Sequence, residues 1–108
     1  MKEKIFKIKR EDIRRVIKYG GACYASDKIT VEGRPVKYMY REERDFENDS
    51  GWRFLSGTES QEYLDDPDNL MIYDVNTIAN YDPAIIPYLK ADVGSGFIRE
   101  KDDLFKQL

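Results

Sequence analysis

The most informative absences in this chain of 108 residues are histidine, which is missing, and cysteine, which occurs only as Cys23. Catalytic sites of the Ser-His-Asp and Cys-His types are therefore excluded within the chain. A structural zinc site needs several Cys or His ligands, and a single cysteine cannot form an internal disulfide. A metal site or a glycosidase-like pair built only from carboxylates stays open. Because no spacing indicates either one, we expect no bound metal and no cofactor.

Long apolar runs are also missing. No run approaches the roughly 18 residues that a membrane-spanning helix needs, and the lysine-rich N-terminus lacks the hydrophobic core of a signal peptide. The single cysteine agrees with a reducing compartment. We therefore expect a cytoplasmic protein that makes no contact with a membrane.

Lysine and arginine are absent from residues 54–89, a segment that we call the acidic block. The block carries seven carboxylates: Glu59, Glu62, Asp65, Asp66, Asp68, Asp74 and Asp82. Residues 1–53 hold fourteen Lys/Arg and ten Asp/Glu, and residues 90–108 hold four of each. The negative net charge of −3 therefore comes from the seven carboxylates of the acidic block. A negative net charge argues against a nucleic-acid partner, whose phosphates demand clustered Lys and Arg. Carboxylates that share one face would instead attract a cationic protein surface.

The remaining composition predicts one folded domain, because 41% hydrophobic and 13% aromatic residues suffice for a single core. In the first half of the chain we predict an entry segment or edge strand over 2–9, an amphipathic helix over 11–19, a hairpin of strands 28–31 and 36–41, and a strand over 51–55. In the second half we predict a short helix after Thr58, a buried strand over 70–73, short helices around 76–79 and from Asp82-Pro83, and a last strand over 93–98. These elements predict an α+β fold with a mainly antiparallel sheet and short helices.

Three features admit an ordinary structural explanation. Residues 65–69 offer oxygen ligands for calcium but lack the spacing of a known calcium loop, so we favour a plain turn. The alternating tyrosines of strand 36–41 are typical of a core-facing surface. Trp52 and Arg53 belong to residue types that are enriched at binding hot spots, and on a strand they point to opposite faces. We favour packing of Trp52 in the core and pairing of Arg53 with a carboxylate over contact with a partner.

Four stretches carry a resemblance to a known family: SDKITVEG (26–33), MYREE (39–43), DSGWRF (49–54) and YDVNTIAN (73–80) followed by Asp82-Pro83. In this order they resemble bacterial immunity protein family thirty-three. The resemblance implies a compact α+β domain without known enzymatic activity, whose relatives are thought to neutralise toxins of bacterial competition systems. It divides a single domain of residues 1–108 into an N-terminal extension (1–21), a family-like core (22–100) and a charged tail (101–108).

The first functional hypothesis is a non-enzymatic immunity-type protein that binds a cognate toxin through an acidic face. Its candidate partner-binding residues are Trp52, Arg53, Glu59, Glu62, Asp65, Asp66 and Asp68. The second is a ligand-binding or regulatory domain, in which Trp52, Arg53 and nearby tyrosines line a pocket for a small anion. The third, an enzyme with paired carboxylates such as Glu42 and Glu59, ranks last because no spacing identifies the pair.

Overall fold

The computed structural model describes residues 4–18, 20–100 and 104–108. The strands are β1 (Ala22–Ser26), β2 (Tyr38–Arg41), β3 (Asp49–Leu55), β4 (Leu70–Asp74), β5 (Gly96–Arg99) and β6 (Phe105–Gln107). The helices are α1 (Asp27–Thr30), α2 (Gln61–Asp65) and α3 (Val75–Tyr81), with 3₁₀ helices at Arg10–Asp12, Pro67–Asn69 and Pro83–Tyr88. None of the helices in these ranges is long and apolar enough to cross a membrane.

Within the described residues, six strands join one sheet in the order β4-β1-β3-β2-β5-β6. β1 and β3 run parallel, and every other neighbouring pair is antiparallel. The predicted α+β fold with a mainly antiparallel sheet and short helices is confirmed.

Successive side chains divide the sheet into two faces with different surroundings. On the first, which we call the core face, the side chains are buried against α1, α3 and the 3₁₀ helix at 83–88. Core-face residues are Cys23, Ala25, Met39, Trp52, Phe54, Phe97 and Phe105. On the second, which we call the open face, several large side chains stay partly or largely exposed. These residues are Tyr24, Tyr38, Tyr40, Ile72 and Ile98.

Cys23 is a core residue. Its side chain is fully buried, and this burial raises the pKa of the thiol, with the negative charge of Asp74 adding to the effect. The thiol therefore stays protonated, which removes the nucleophilic form that a reactive cysteine needs.

The predicted helix over 11–19 is wrong for residues 13–18, and residue 19 lies outside the described residues. One 3₁₀ turn forms at Arg10–Asp12, and the backbone beyond it is bound by α3 instead of by a helix of its own. The side-chain oxygen of Asn76 accepts the N–H groups of Val16 and Ile17 at 2.8 and 3.2 Å. Because a nine-residue helix is marginal on its own, these tertiary hydrogen bonds decide the conformation.

The predicted hairpin is also wrong. Residues 28–31 lie in and just after α1, whose first turn begins where the Ser26 hydroxyl accepts the N–H of Lys28. Such a cap favours a helix over the strand that the β-branched residues suggested. β2 pairs instead with β3 and β5, and it turns Met39 towards the core. The tyrosines of β2 therefore lie on the open face and not in the core, contrary to the prediction.

Several local predictions are confirmed. The strand over 51–55 is β3, the helix after Thr58 is α2, and the strand predicted over 93–98 corresponds to β5, which begins at Gly96. The short helices predicted around 76–79 and from Asp82-Pro83 are α3 and the 3₁₀ helix at 83–88, and Asp74 and Asp82 cap them through their carboxylates.

Other predictions differ at least in part from the structure. Of the two alternatives for residues 2–9, the entry segment is right for residues 4–9, which form no strand, and residues 2 and 3 lie outside the described part. β4 is a strand as predicted, but it lies at the sheet edge, where Met71 and Ile72 are exposed instead of buried. In the tail, β6 adds an unpredicted strand, and residues 101–103 are not described.

Candidate partner-binding surface

Arg53 lies at the centre of the open face and is buried there by an ion cluster. Its two Nη atoms donate to both carboxylate oxygens of Asp49, at 2.9 and 2.8 Å, and its Nε donates to Glu42 at 2.6 Å. Asp45 lies 3.8 Å from Nη2, and the guanidinium sits 4.6 Å from the centre of the Tyr24 ring. These contacts leave Arg53 only 2% exposed. We call these five residues the Arg53 cluster.

The electrostatics of the Arg53 cluster favour full ionisation of its central pair. The hydrogen bonds from Arg53 hold the pKa of Asp49 well below its usual range. Burial alone would lower the pKa of Arg53, but the hydrogen bonds to Asp49 and Glu42 outweigh it, and the net shift is upward. One cation thus faces three carboxylates, which leaves an excess of two negative charges. The excess lies towards solvent, since Glu42 and Asp45 have side chains 49% and 61% exposed.

The loop over 42–48 is held against β3 by the Asp49 side chain and by the conformation of Gly51. Asp49 accepts the N–H groups of Asp45 and Gly51, both at 2.9 Å, which ties the loop to the strand. Gly51 has a φ of 90°, a conformation that side-chain-bearing residues rarely adopt. The ring of Phe46 then packs edge-on against Tyr24. This loop brings Glu42 and Asp45 to the guanidinium.

Trp52 points to the core face, so the prediction that Trp52 and Arg53 point in opposite directions is confirmed. Its ring stacks on Phe54, its Nε1 donates to the carbonyl of Leu89 at 3.2 Å, and it is 1% exposed. Both predicted partner-binding residues of β3 are thus buried. Their burial favours the packing and pairing roles, through which they support the surface around them.

Several carboxylates of the acidic block are paired within the protein. The block as a whole is therefore not one unpaired acidic surface, contrary to the hypothesis. Asp82 is buried and accepts hydrogen bonds from Arg99 at 3.0 and 3.3 Å. Asp74 caps α3 and lies 3.9 Å from Arg15. Charge counting along the sequence missed these cations because they lie outside the block.

Glu59 also has internal partners. Its carboxylate accepts the N–H and the hydroxyl of Ser56, both at 2.8 Å, and the N–H of Gly57 at 3.0 Å. Burial alone would raise the pKa of Glu59, but these hydrogen bonds reverse the shift and lower it. Glu59 and Glu42 bind different groups, Ser56 and Arg53, so each of the two carboxylates has its own hydrogen-bond partner.

Four carboxylates remain exposed on one short segment, which we call the α2 patch: Glu62, Asp65, Asp66 and Asp68. Glu62 and Asp65 lie in α2. The turn predicted over 65–69 is found at its end, where Asp66 caps the 3₁₀ helix at Pro67–Asn69. Lys4 donates to the carbonyl of Asp68, so one cation lies next to the patch. Across the described ranges, no group of three or more Cys, Asp or Glu side chains is arranged to hold a metal ion.

A cavity of about 430 Å³ lies beside Trp52. Its lining includes Gly20, Arg41, Ser50 and Lys90. Arg41 is the cation next to the indole, with its guanidinium 5.8 Å from the ring centre. The second hypothesis placed Arg53 in such a pocket, but Arg53 lies on the other face of the sheet.

The family model described as the Immunity protein Imm33 domain matches residues 23–108. The match contains the Arg53 cluster and the α2 patch, begins after the described N-terminal segment 4–18, and extends through β6. Searches of curated proteins and of solved structures found no match. Since the family model covers most of the chain and the predicted resemblance is thereby confirmed, this chain belongs to the Immunity protein Imm33 family.

Proposed function

We propose that this protein is a non-enzymatic immunity protein that neutralises a cognate bacterial toxin by binding it in the cytoplasm. The family match over residues 23–108 carries this proposal. The structure supports a binding role, because it exposes carboxylates in two places, the α2 patch and the solvent side of the Arg53 cluster. Members of immunity families are generally non-catalytic, and the same is proposed here.

The α2 patch provides a physical reason for a basic toxin surface. Its four carboxylates lie within seven consecutive residues, so their fields add in front of one segment. A surface of this kind speeds the encounter with a cationic partner and suppresses encounters with anionic ones. A toxin face that normally receives phosphates, such as that of a nuclease, has the complementary charge.

A triple substitution in the α2 patch tests the electrostatic part. We expect Asp65→Asn, Asp66→Asn and Asp68→Asn together to slow association with the toxin encoded beside this gene by about tenfold at low salt. Asn preserves the cap at Asp66, because Asn and Asp cap helices equally well. Stopped-flow association rates measured at several ionic strengths should show the difference shrinking as salt rises.

The matched control removes the same charge elsewhere, through Glu11→Gln, Asp12→Asn and Asp92→Asn, all at exposed positions. Equal association rates for the two triple variants would contradict the steering role of the α2 patch. Survival of a sensitive host that expresses the toxin tests the function itself. If the wild-type protein gave no protection, or no toxin gene lay beside its own gene, the proposed function would be wrong.

The cavity beside Trp52 favours a second candidate, the binding of a small anionic ligand or a regulatory role based on it. Its lining combines an aromatic ring with the cationic side chains of Arg41 and Lys90. A metabolite that raises the melting temperature of the wild-type protein but not of a variant with Arg41→Met would favour this alternative.

A further inference from the structure

We propose that the open face around the Arg53 cluster is a docking surface that receives an arginine or lysine side chain of the toxin. This inference rests on the proposed toxin-binding function and names the surface and the chemistry of the contact. It differs from the α2 patch, which lies on the segment between β3 and β4 and steers the approach.

The open face has the composition of a protein interface. Register places Ile72, Tyr24, Arg53 and Tyr40 side by side in one row across four strands. Tyr38 and Ile98 form the next row, and the rings of Tyr38 and Tyr40 lie 5.2 Å apart. Aromatic residues are enriched at interface centres, where they offer large contact area and few rotatable bonds. The hydrophobic core uses the opposite face, so these side chains are not needed to complete it.

The charges of the Arg53 cluster determine which partner fits. All three guanidinium nitrogens of Arg53 already donate hydrogen bonds within the protein, so Arg53 offers little to an anion. The excess of negative charge lies on Glu42 and Asp45, at the solvent side. A cationic side chain placed there forms charge-assisted hydrogen bonds with both carboxylates and cation–π contacts with the neighbouring tyrosine rings.

The same charges argue against a second copy of this chain as the occupant. Self-association through the open face would place two clusters of like charge against each other, and such a juxtaposition suppresses binding of the wrong partner. A basic toxin surface relieves this repulsion instead of doubling it. Charge complementarity therefore selects the cationic partner.

Two substitutions at exposed positions test the inference with little risk to folding. Ile72→Asp adds a charge to the apolar part of the open face, where Ile72 is 52% exposed. Asp45→Lys reverses one of the two solvent-side carboxylates. The matched controls are Val16→Asp, at a residue 47% exposed, and Glu11→Lys. Both controls lie in the N-terminal segment, parts of which bind α3 on the core-face side.

The measurement is the dissociation constant for the purified toxin from the neighbouring gene, by calorimetry at low and high salt, with thermal unfolding to verify each fold. We expect Ile72→Asp and Asp45→Lys each to weaken binding at least about tenfold, while the two controls stay within about twofold. The effect of Asp45→Lys should shrink at high salt, and that of Ile72→Asp should not.

The possible outcomes separate this inference from the proposed function. If wild-type protein binds the toxin and the open-face variants bind as tightly as their controls, the inference is wrong and the function stands. If the wild-type protein does not bind any toxin, both the inference and the proposed function are wrong. Self-association of the wild-type protein that Ile72→Asp abolishes, with toxin binding unchanged, would assign the open face to a second copy and overturn the proposal.

Discussion

We expect Asp49→Asn to lower the free energy of unfolding by about 3 kcal/mol at pH 7, because removing one partner of a buried ion pair typically costs about 3–5 kcal/mol. The carboxylate of Asp49 is fully buried, and it accepts two hydrogen bonds from Arg53 in addition to those from the N–H groups of Asp45 and Gly51. The substitution leaves the guanidinium charge buried with fewer compensating partners. Urea denaturation at fixed salt measures the difference.

The pH dependence of stability provides an independent check on the same pair. The pKa of Asp49 is lowered in the folded protein, so the ion pair contributes fully above the unfolded pKa of about 4. This contribution is lost as the pH falls from about 4 through the lower folded pKa. The gap between wild type and Asp49→Asn should therefore narrow in that acidic range. Glu59, whose pKa is also lowered, is present in both proteins and cancels in the comparison.

An exposed ion pair is the matched control for Asp49. Arg34 bonds Glu32 at 3.0 Å, but about half of each side chain is exposed. We expect Arg34→Met to change stability by less than about 1 kcal/mol, as is usual for surface pairs. If Asp49→Asn cost no more than Arg34→Met, the Arg53 cluster would not stabilise the fold as described.

Gly51→Ala should destabilise the protein by about 3 kcal/mol or more, because positive-φ strain and overpacking cost about 1–3 kcal/mol each. Gly51 has a φ of 90°, and an added Cβ would overlap the carbonyl oxygen of Glu42. That oxygen belongs to the backbone, so it cannot move aside as a flexible side chain could. The loop over 42–48 would have to lift from β3, which would disturb the bond between Glu42 and Arg53.

Gly94 separates the two causes, since it has a φ of 98° but nothing within 4 Å of an added Cβ. Gly94→Ala should therefore cost only the backbone strain, about 1 kcal/mol. Thermal denaturation of both variants isolates the close approach at Gly51 as the difference between them. Equal losses of stability would show that the tight contact between the loop and β3 is unimportant.

The sequence predicted those elements whose signals are local. β3, α2 and the capped starts of α3 and the 3₁₀ helix at 83–88 follow from alternation and capping residues a few positions away. The prediction of a helix over 11–19 was wrong because Asn76, sixty residues away in sequence, binds the backbone of that segment. No pattern within the segment could indicate that hydrogen bond.

The candidate surface was predictable only in part. Alternation correctly put Trp52 and Arg53 on opposite faces of a strand, and the preference for a carboxylate partner of Arg53 was right. The partners Asp49 and Glu42 were not identified, because Glu42 reaches Arg53 only after the loop folds back. A φ-permissive glycine between Asp49 and Arg53 was the available signal. The tyrosines of β2 were assigned to the wrong face because the alternation of a strand does not indicate which of its faces packs against the helices.

Hydrogen–deuterium exchange of the complex tests most directly whether a toxin docks on the open face. Exchange reports protection of individual segments, and exposed loops respond most strongly when a partner covers them. We expect toxin binding to slow exchange in the loop over 42–48 and along the edge strand β4. Slowed exchange confined to residues 4–18 and the 3₁₀ helix at 83–88, with the loop unchanged, would contradict the claim.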